Sequence, residues 1–282
     1  MKEIIFVADF FAKDYVGGAE LTTEALMQKC KKKYNVKRVY CNKLNSQIIE
    51  QYKDSKFIIC NFASMDDKIK LQLCKKCDYQ IVEYDYKFCK YRSLEKHLQI
   101  EKKKCDCLSL ESGKINQIFY GYAKKIWFMS EKQREIFLEN VVTIKKQKTE
   151  VLSSVFSDGD VRFMESIKNN EKDNNYLILN SNFWIKNTKG CVEFAKENNL
   201  NYELISGLSY NEMLIKMSTS KGLIFKPSGS DTCPRIVIEA MMLGCDLKLN
   251  ENVQHKDEEW FSNQEKCYKY ISNRADYFME NV

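Results

Sequence analysis

Residues 222–249 read Gly222-Leu223-Ile224-Phe225-Lys226-Pro227-Ser228-Gly229-Ser230-Asp231-Thr232-Cys233-Pro234-Arg235, then Ile236-Val237-Ile238-Glu239-Ala240-Met241-Met242-Leu243-Gly244, then Cys245-Asp246-Leu247-Lys248-Leu249. The short apolar run Gly222–Phe225 fits a buried strand, Ile236–Leu243 has helical spacing, and Asp246–Leu249 reads as a second strand. Strand, loop, helix and strand in this order make a right-handed parallel βαβ unit. Pro234 suits a first helical turn, where its missing N–H costs nothing, and Thr232 stands where a cap is expected. Arg235 in that turn opposes the helix dipole unless an anion such as a phosphate is bound there. Glu239 lies one turn deeper on the same face, where an acid can grip the two vicinal hydroxyls of a ribose. The plain alternative is a core helix with an incidental acid.

The same alternation extends towards both ends. Upstream, strands are expected at Ile4–Ala8, Val36–Cys41, Lys56–Cys60, Tyr79–Tyr84, Ile126–Met129 and Val151–Val155. Helices are expected at Ala19–Lys32, Ser46–Gln51, Asp67–Lys76, Lys114–Ala123 and Glu131–Glu139, the last capped by Ser130. Residues 85–110 have no clear period and read as an inserted loop. Residues 158–175 are polar and suit a boundary. The pattern then restarts with strands Tyr176–Asn180 and Tyr202–Ile205 and helices Thr188–Glu197 and Tyr210–Met217. Two successive βα series imply an α/β protein of two Rossmann-like domains with parallel sheets facing a cleft. The expected division is 1–157, 158–260, and a C-terminal helix over 261–282 that packs back on the first domain.

Composition narrows the class. A chain of 282 residues, 44% hydrophobic and 30% charged, has apolar material for real cores and is not of disordered composition. No stretch approaches the ~20 apolar residues of a membrane span. Met1-Lys2-Glu3 leads directly into Ile4–Val7 with Asp9 behind it, so no signal peptide is expected and the chain reads as cytoplasmic. The twelve Cys then read as reduced thiols, most of them small core residues. The net charge of +6 fits a solvated Lys-rich surface or a face that meets anionic partners. No P-loop and no Gly-x-Gly-x-x-Gly is present, which disfavours phosphoryl- and hydride-transfer Rossmann proteins.

Asp14-Tyr15-Val16-Gly17-Gly18-Ala19-Glu20 follows the first strand and opens a helix. Gly17 and Gly18 allow close backbone approach to a diphosphate or sugar hydroxyl at a helix N-terminus; a plain tight turn fits equally well.

The pair Asp231 and Glu239, with Glu239-Ala240-Met241-Met242-Leu243-Gly244 behind it, resembles the paired-acid signature of retaining GT-B glycosyltransferases, the glycosyltransferase family 4-like or group 1 transferases. Their first acid is usually Glu; here it is Asp231. Gly17-Gly18-Ala19-Glu20 resembles the same family's N-terminal loop, and Lys189-Gly190 its donor-phosphate lysine. The family's preceding Arg is replaced by Trp184, and Lys186 is an alternative phosphate contact, so Lys186 and Lys189 both stand. The resemblance implies a hexosyltransferase-like enzyme that moves a sugar from a UDP- or GDP-sugar with retention and without a metal. Lys186, Lys189, Arg235 and the donors at Thr232 would stabilise the leaving diphosphate. Asp231 would hold sugar hydroxyls, Glu239 the ribose, and Gly17 and Gly18 the N-terminal side of the donor. Asn61 and Asp85 would lie on the acceptor side, where Asp85 replaces a His the family often has; an ordinary strand-end acid is the other reading of Asp85. Glycan and hydroxymethylated-DNA acceptors are both open. A non-catalytic nucleotide-sugar-binding module of the same fold is the alternative.

Cys89, His97, Cys105 and Cys107 all fall inside residues 85–110. Three thiolates and one imidazole suit a closed structural zinc site, although Cys-x7-His-x7-Cys-x-Cys is no standard module. Reduced loop cysteines beside a surface His97 are the competing reading. Cys74-Lys75-Lys76-Cys77 ends an amphipathic helix and reads as structural.

Overall fold

Ile4, Ile5, Phe6 and Val7 are completely buried, both the inward and the outward members of the strand. A strand buried on two faces reads as a continuous apolar run, and helices must cover both sides of its sheet. Each such side chain contributes roughly 1.5–3 kcal/mol through burial. In the computed structural model, which describes residues 2–282, the chain divides into two units: Met1–Ser157 with Arg274–Val282, and Asp158–Asn273.

The first unit holds strands β1 (Glu3–Ala8), β2 (Asn35–Tyr40), β3 (Lys56–Ile59), β4 (Asp78–Glu83), β5 (Lys125–Phe128) and β6 (Thr149–Val151). All pair in parallel in the order β2-β1-β3-β4-β5-β6, with Ile5 opposite Lys37 and Phe57. Helices α1 (Gly18–Cys30), α2 (Ser46–Gln51), α3 (Asp67–Lys76), α4 (Leu94–Glu101), α5 (Glu111–Tyr122) and α6 (Glu131–Asn140) connect them. Ser130 caps α6, its hydroxyl accepting from the Gln133 N–H at 3.2 Å, as its position predicts. The last strand is shorter than the expected Val151–Val155: Leu152–Val155 is buried, but Ser153 turns left-handed at φ +68° and takes the chain off the sheet.

Residues 85–110 are not the unpatterned loop the sequence suggests. Tyr86 and Phe88 are buried against Phe137 of α6, at ring separations of 5.9 and 4.9 Å. Ser93 caps α4 by accepting from the Lys96 N–H. The period was hidden because α4 buries His97 and leaves its apolar Leu98 and Ile100 about half exposed. Cys107–Ser109 forms a 3-10 turn pressed onto α5: a Cβ added at Gly113 would sit 2.0 Å from the Cys107 carbonyl oxygen. Only glycine permits that approach.

The second unit pairs β7 (Tyr176–Leu179), β8 (Tyr202–Ile205), β9 (Gly222–Phe225) and β10 (Asp246–Leu249) in parallel, in the order β10-β9-β7-β8. Its helices are α7 (Asp158–Ile167), α8 (Thr188–Glu197), α9 (Tyr210–Thr219), α10 (Arg235–Met242) and the start of α11 (Gln264–Asn281). The polar stretch 158–175 therefore carries a helix as well as a boundary; α7 buries Met164 and places Asp158 and Asp160 in its first turn, where the dipole favours them. The last turns of α11 belong to the first unit. There Phe278 packs on Trp127 at 5.2 Å, Tyr277 donates to Glu150 at 2.6 Å, and Asp276 pairs with Lys29 at 2.7 Å. No described helix is long and apolar enough to cross a membrane.

Candidate active site

In the second sheet β7 lies between β8 on one side and β9 on the other. The loops leaving β7 and β9 at their C-terminal ends therefore diverge, which is where open parallel sheets bind ligands. After β7 the chain makes a 3-10 turn at Trp184–Lys186 and then reverses at Asn187, which is left-handed at φ +49°. The Asn187 side chain serves both neighbours. Its oxygen accepts from the Gly190 N–H at 3.3 Å, capping α8, and its amide donates to the Lys226 carbonyl at 2.8 Å. The loop after β9 is fixed from its other side. Asn250 and Asn252 donate to the Pro227 carbonyl at 3.0 and 2.8 Å, and the Asp231 N–H donates to the Asn252 carbonyl at 2.8 Å.

This framework brings Lys186 Nζ to 3.2 Å from Asp231 Oδ2, with the two side chains 28% and 17% exposed. The ammonium also lies 5.1 Å from the centre of the Phe225 ring. Lys189, the second residue of α8, is 91% exposed and 3.8 Å from Glu193. Of the two lysines singled out from the sequence, the structure brings Lys186 to Asp231 and leaves Lys189 on the solvent face.

The N-cap of α10 is Pro234, without a side-chain cap, so Thr232 is not the cap the sequence suggests; it is buried two residues earlier. Arg235 and Glu239 meet as expected one turn apart, Nε to Oε1 at 3.5 Å, both almost fully buried. Tyr210 of α9 completes the group: its hydroxyl accepts from Arg235 at 3.0 Å and donates to Glu239 Oε1 at 3.0 Å. Asp160 of α7 stands 3.9 Å from the guanidinium. Arg235 thus has protein acids beside it, and its first-turn position does not by itself call for a phosphate. Burial pushes the Glu239 carboxyl up, opposed by Arg235 and the Tyr210 hydroxyl, while burial and Glu239 push the Tyr210 phenol up. Tyr210 and Asp160 escaped the sequence reading because each lies on a different element from the motif it serves.

In the first unit β1 is flanked by β2 and β3, and the same topological divergence opens after β1 and β3. Asp9 spans it, accepting from the Ala63 and Ser64 N–H groups at 2.7 and 3.0 Å. Gly17 is the N-cap of α1 and Gly18 its first residue. A Cβ on Gly17 would lie 2.5 Å from Glu20 Oε2, so the glycine makes room for a buried acid of its own motif. Burial pushes that carboxyl up, against Arg92, Lys87 and a hydrogen bond from Asn61.

Asn61 and Asp85 are brought together by a residue the sequence did not flag. Arg92 donates to Asp85 Oδ2 through Nε at 2.6 Å and to Asn61 Oδ1 at 3.3 Å. Lys87, 3% exposed, lies 3.1 Å from Asp85 and 2.6 Å from the fully buried Glu83, which also accepts from Tyr120. Burial opposes the charge on Asp85, but Lys87 and Arg92 outweigh it and hold the carboxyl below its ordinary value. Glu83 goes the other way, raised by burial against Lys87. Two acids and two bases close on each other. In the same unit the ligand atoms of Cys89, His97, Cys105 and Cys107 lie within 4.8 Å of one another, a set that can hold a metal ion.

Two parallel, doubly wound sheets of this kind are the GT-B fold. No protein-family model and no curated protein matches this sequence. Among solved structures, an alpha-glucosyltransferase in complex with UDP and a 13-mer DNA containing a HMU base is similar at a TM-score of 0.56 and 11% identity, over 100% of this chain and 98% of that one. WaaG, a glycosyltransferase involved in lipopolysaccharide biosynthesis, is similar at 0.56 and 12%, over 99% and 93%. UDP-GlcNAc 2-epimerase from Neisseria meningitidis, bound to UDP-GlcNAc, is similar at 0.51 and 12%, over 99% of each chain. At these identities the likeness is one of fold.

Proposed function

We propose that this chain is a glycosyltransferase that moves a sugar from a nucleotide-diphosphate sugar to an acceptor hydroxyl with retention of configuration. The observation that carries the reading is the Lys186–Asp231 pair at the divergence of the β7 and β9 loops. An ion pair that water partly reaches can exchange partners. A diphosphate arriving there takes the ammonium, and the freed Asp231 accepts hydrogen bonds from sugar hydroxyls. Lys186 then neutralises charge on the departing diphosphate, the demand that a retaining transfer without a metal places on its protein. Glu239, held by Arg235 and Tyr210, is the ribose contact, and Arg235 acts by holding it.

Gly17 and Gly18 contribute backbone N–H groups at the α1 N-terminus, and Asn61 and Asp85 line the acceptor side. The donor is a UDP- or GDP-sugar. The acceptor is a glycan or hydroxymethylated DNA; solved proteins of the same fold are associated with lipopolysaccharide synthesis and with DNA.

The test is a panel of UDP- and GDP-sugars screened by thermal shift on the full chain, followed by nucleotide release with glycan and hydroxymethylated-DNA acceptors and NMR of the product anomer. Acceptor-dependent release with retention is the expected result. Isomerisation of the donor sugar without an acceptor, binding without turnover, or no stabilisation by any nucleotide sugar would overturn the reading.

A further inference from the structure

We infer that residues 85–110 of the first unit carry a structural zinc site built from Cys89, His97, Cys105 and Cys107. The four are separated in sequence and come from the turn before α4 (Cys89), α4 itself (His97), the irregular stretch after it (Cys105) and the 3-10 turn ahead of α5 (Cys107). Their ligand atoms nevertheless converge within 4.8 Å, and three of the residues are buried.

The distances have the right scale. His97 Nδ1 lies 3.5 Å from Cys89 Sγ and 3.7 Å from Cys107 Sγ. A tetrahedral zinc with Zn–S of ~2.3 Å and Zn–N of ~2.0 Å separates sulfur from nitrogen by about 3.5 Å. Nδ1 is therefore the ligand nitrogen, and the rest of the ring bears this out. Nε2 is buried with no hydrogen-bond partner, and Asp106 Oδ1 stands 3.8 Å away. A carboxylate hydrogen-bonded to the distal nitrogen is the usual support for a metal-bound imidazole, and Asp106 stands just beyond that distance. The sulfurs have support too: the Lys90 N–H donates to Cys107 Sγ at 3.4 Å.

Three thiolates and one imidazole, with no oxygen ligand, select zinc over magnesium or calcium. Four protein ligands leave no open coordination position, so the ion is structural. On binding, each thiol loses its proton to solvent and its sulfur lone pair forms the bond to the metal. Gly113 presses the Cys107 turn onto α5 and Cys89 follows the buried Phe88, so the ion staples the insert to the core of its own unit.

The experiment is metal analysis of the full chain purified without chelator, with cobalt(II) exchanged for the native ion. About one zinc per chain is expected, together with the intense visible bands and sulfur-to-cobalt charge transfer of a tetrahedral thiolate site. Cys105→Ser and His97→Ala should each lose most of the metal. Should those variants fail to fold, titration of the native unmutated chain with an organomercurial must release zinc in step with thiol blocking. Zinc below about 0.1 per chain, a weak octahedral cobalt spectrum, or zinc that survives thiol blocking would overturn the site. None of these readouts involves a nucleotide sugar, so the zinc site and the transferase reading stand or fall separately.

Discussion

Each sheet has one place where its topology diverges, and the two are built in opposite ways. In the first unit the polar groups beside that place, at the C-terminal ends of β3 and β4, close on themselves: Glu83, Lys87, Asp85, Arg92, Asn61 and Tyr120 satisfy one another, and Lys87 and Glu83 are out of solvent. In the second unit the Lys186–Asp231 pair crosses between two loops and stays partly wet. The buried Lys87–Glu83 pair holds a shape, whereas the partly solvated pairs, Arg92–Asp85 at 42% and 21% exposed and Lys186–Asp231 at 28% and 17%, can trade partners. The contrast separates a buried ion pair locked by its neighbours from pairs that water already reaches.

The largest expected effect probes that contrast directly. Lys87→Met strands Glu83 and Asp85 without their shared cation and should cost about 3–5 kcal/mol in urea unfolding. Lys186→Met, on the partly solvated pair, should cost at most about 1 kcal/mol. Equal losses would erase the distinction.

Activity should separate the two second-unit lysines. Lys186→Ala is expected to lower turnover by about 10²–10³-fold, the scale of losing one preorganised charge partner of a leaving group. Lys189→Ala should leave turnover within about twofold, being a surface change away from the site. A comparable loss in both would return Lys189 to the phosphate.

Glu239→Ala should weaken nucleotide-sugar binding by about 1.5–3 kcal/mol, measured by calorimetry against the parent chain. Unchanged affinity would leave Glu239 as a structural partner of Arg235 and Tyr210 alone.

The smallest effect concerns acid. Asp85 is held below its ordinary value, so the stability its charge contributes is fully present above the unfolded carboxylate pKa of ~3.9 and is lost as pH falls through its lower folded value. Glu83 is raised and has the opposite sign, since its burial resists the charged form. Asp85→Asn should therefore lose less stability than the parent between about pH 5 and pH 2, followed by urea midpoints at each pH.

How much of this was legible in the sequence depended on how local the determining physics is. Strands such as Ile4–Val7 and the 222–249 unit announce themselves because burial on both faces leaves an unbroken apolar run. The insert did not, because α4 faces the core with His97 while Leu98 and Ile100 face outward, so its apolar residues mark the wrong side. The acids Asp231 and Glu239 were visible through their spacing around one loop and helix. The choice between Lys186 and Lys189 was not, because it turns on the left-handed backbone of Asn187 between them. Arg92 was hidden for a similar reason, since it ties Asp85 beyond β4 to Asn61 after β3 and no linear spacing joins those; Lys87 sits only four and two residues from Glu83 and Asp85, but nothing local marks that turn as buried.

The return of residues 274–282 to the first unit bears on how the protein can be dissected. A fragment cut at 157 lacks the segment that covers Trp127, leaving an open apolar groove and removing one partner from each of Lys29 and Glu150. An autonomous first half must have that last stretch spliced onto residue 157, or added in trans as a short synthetic peptide whose docking then reports on the integrity of the groove.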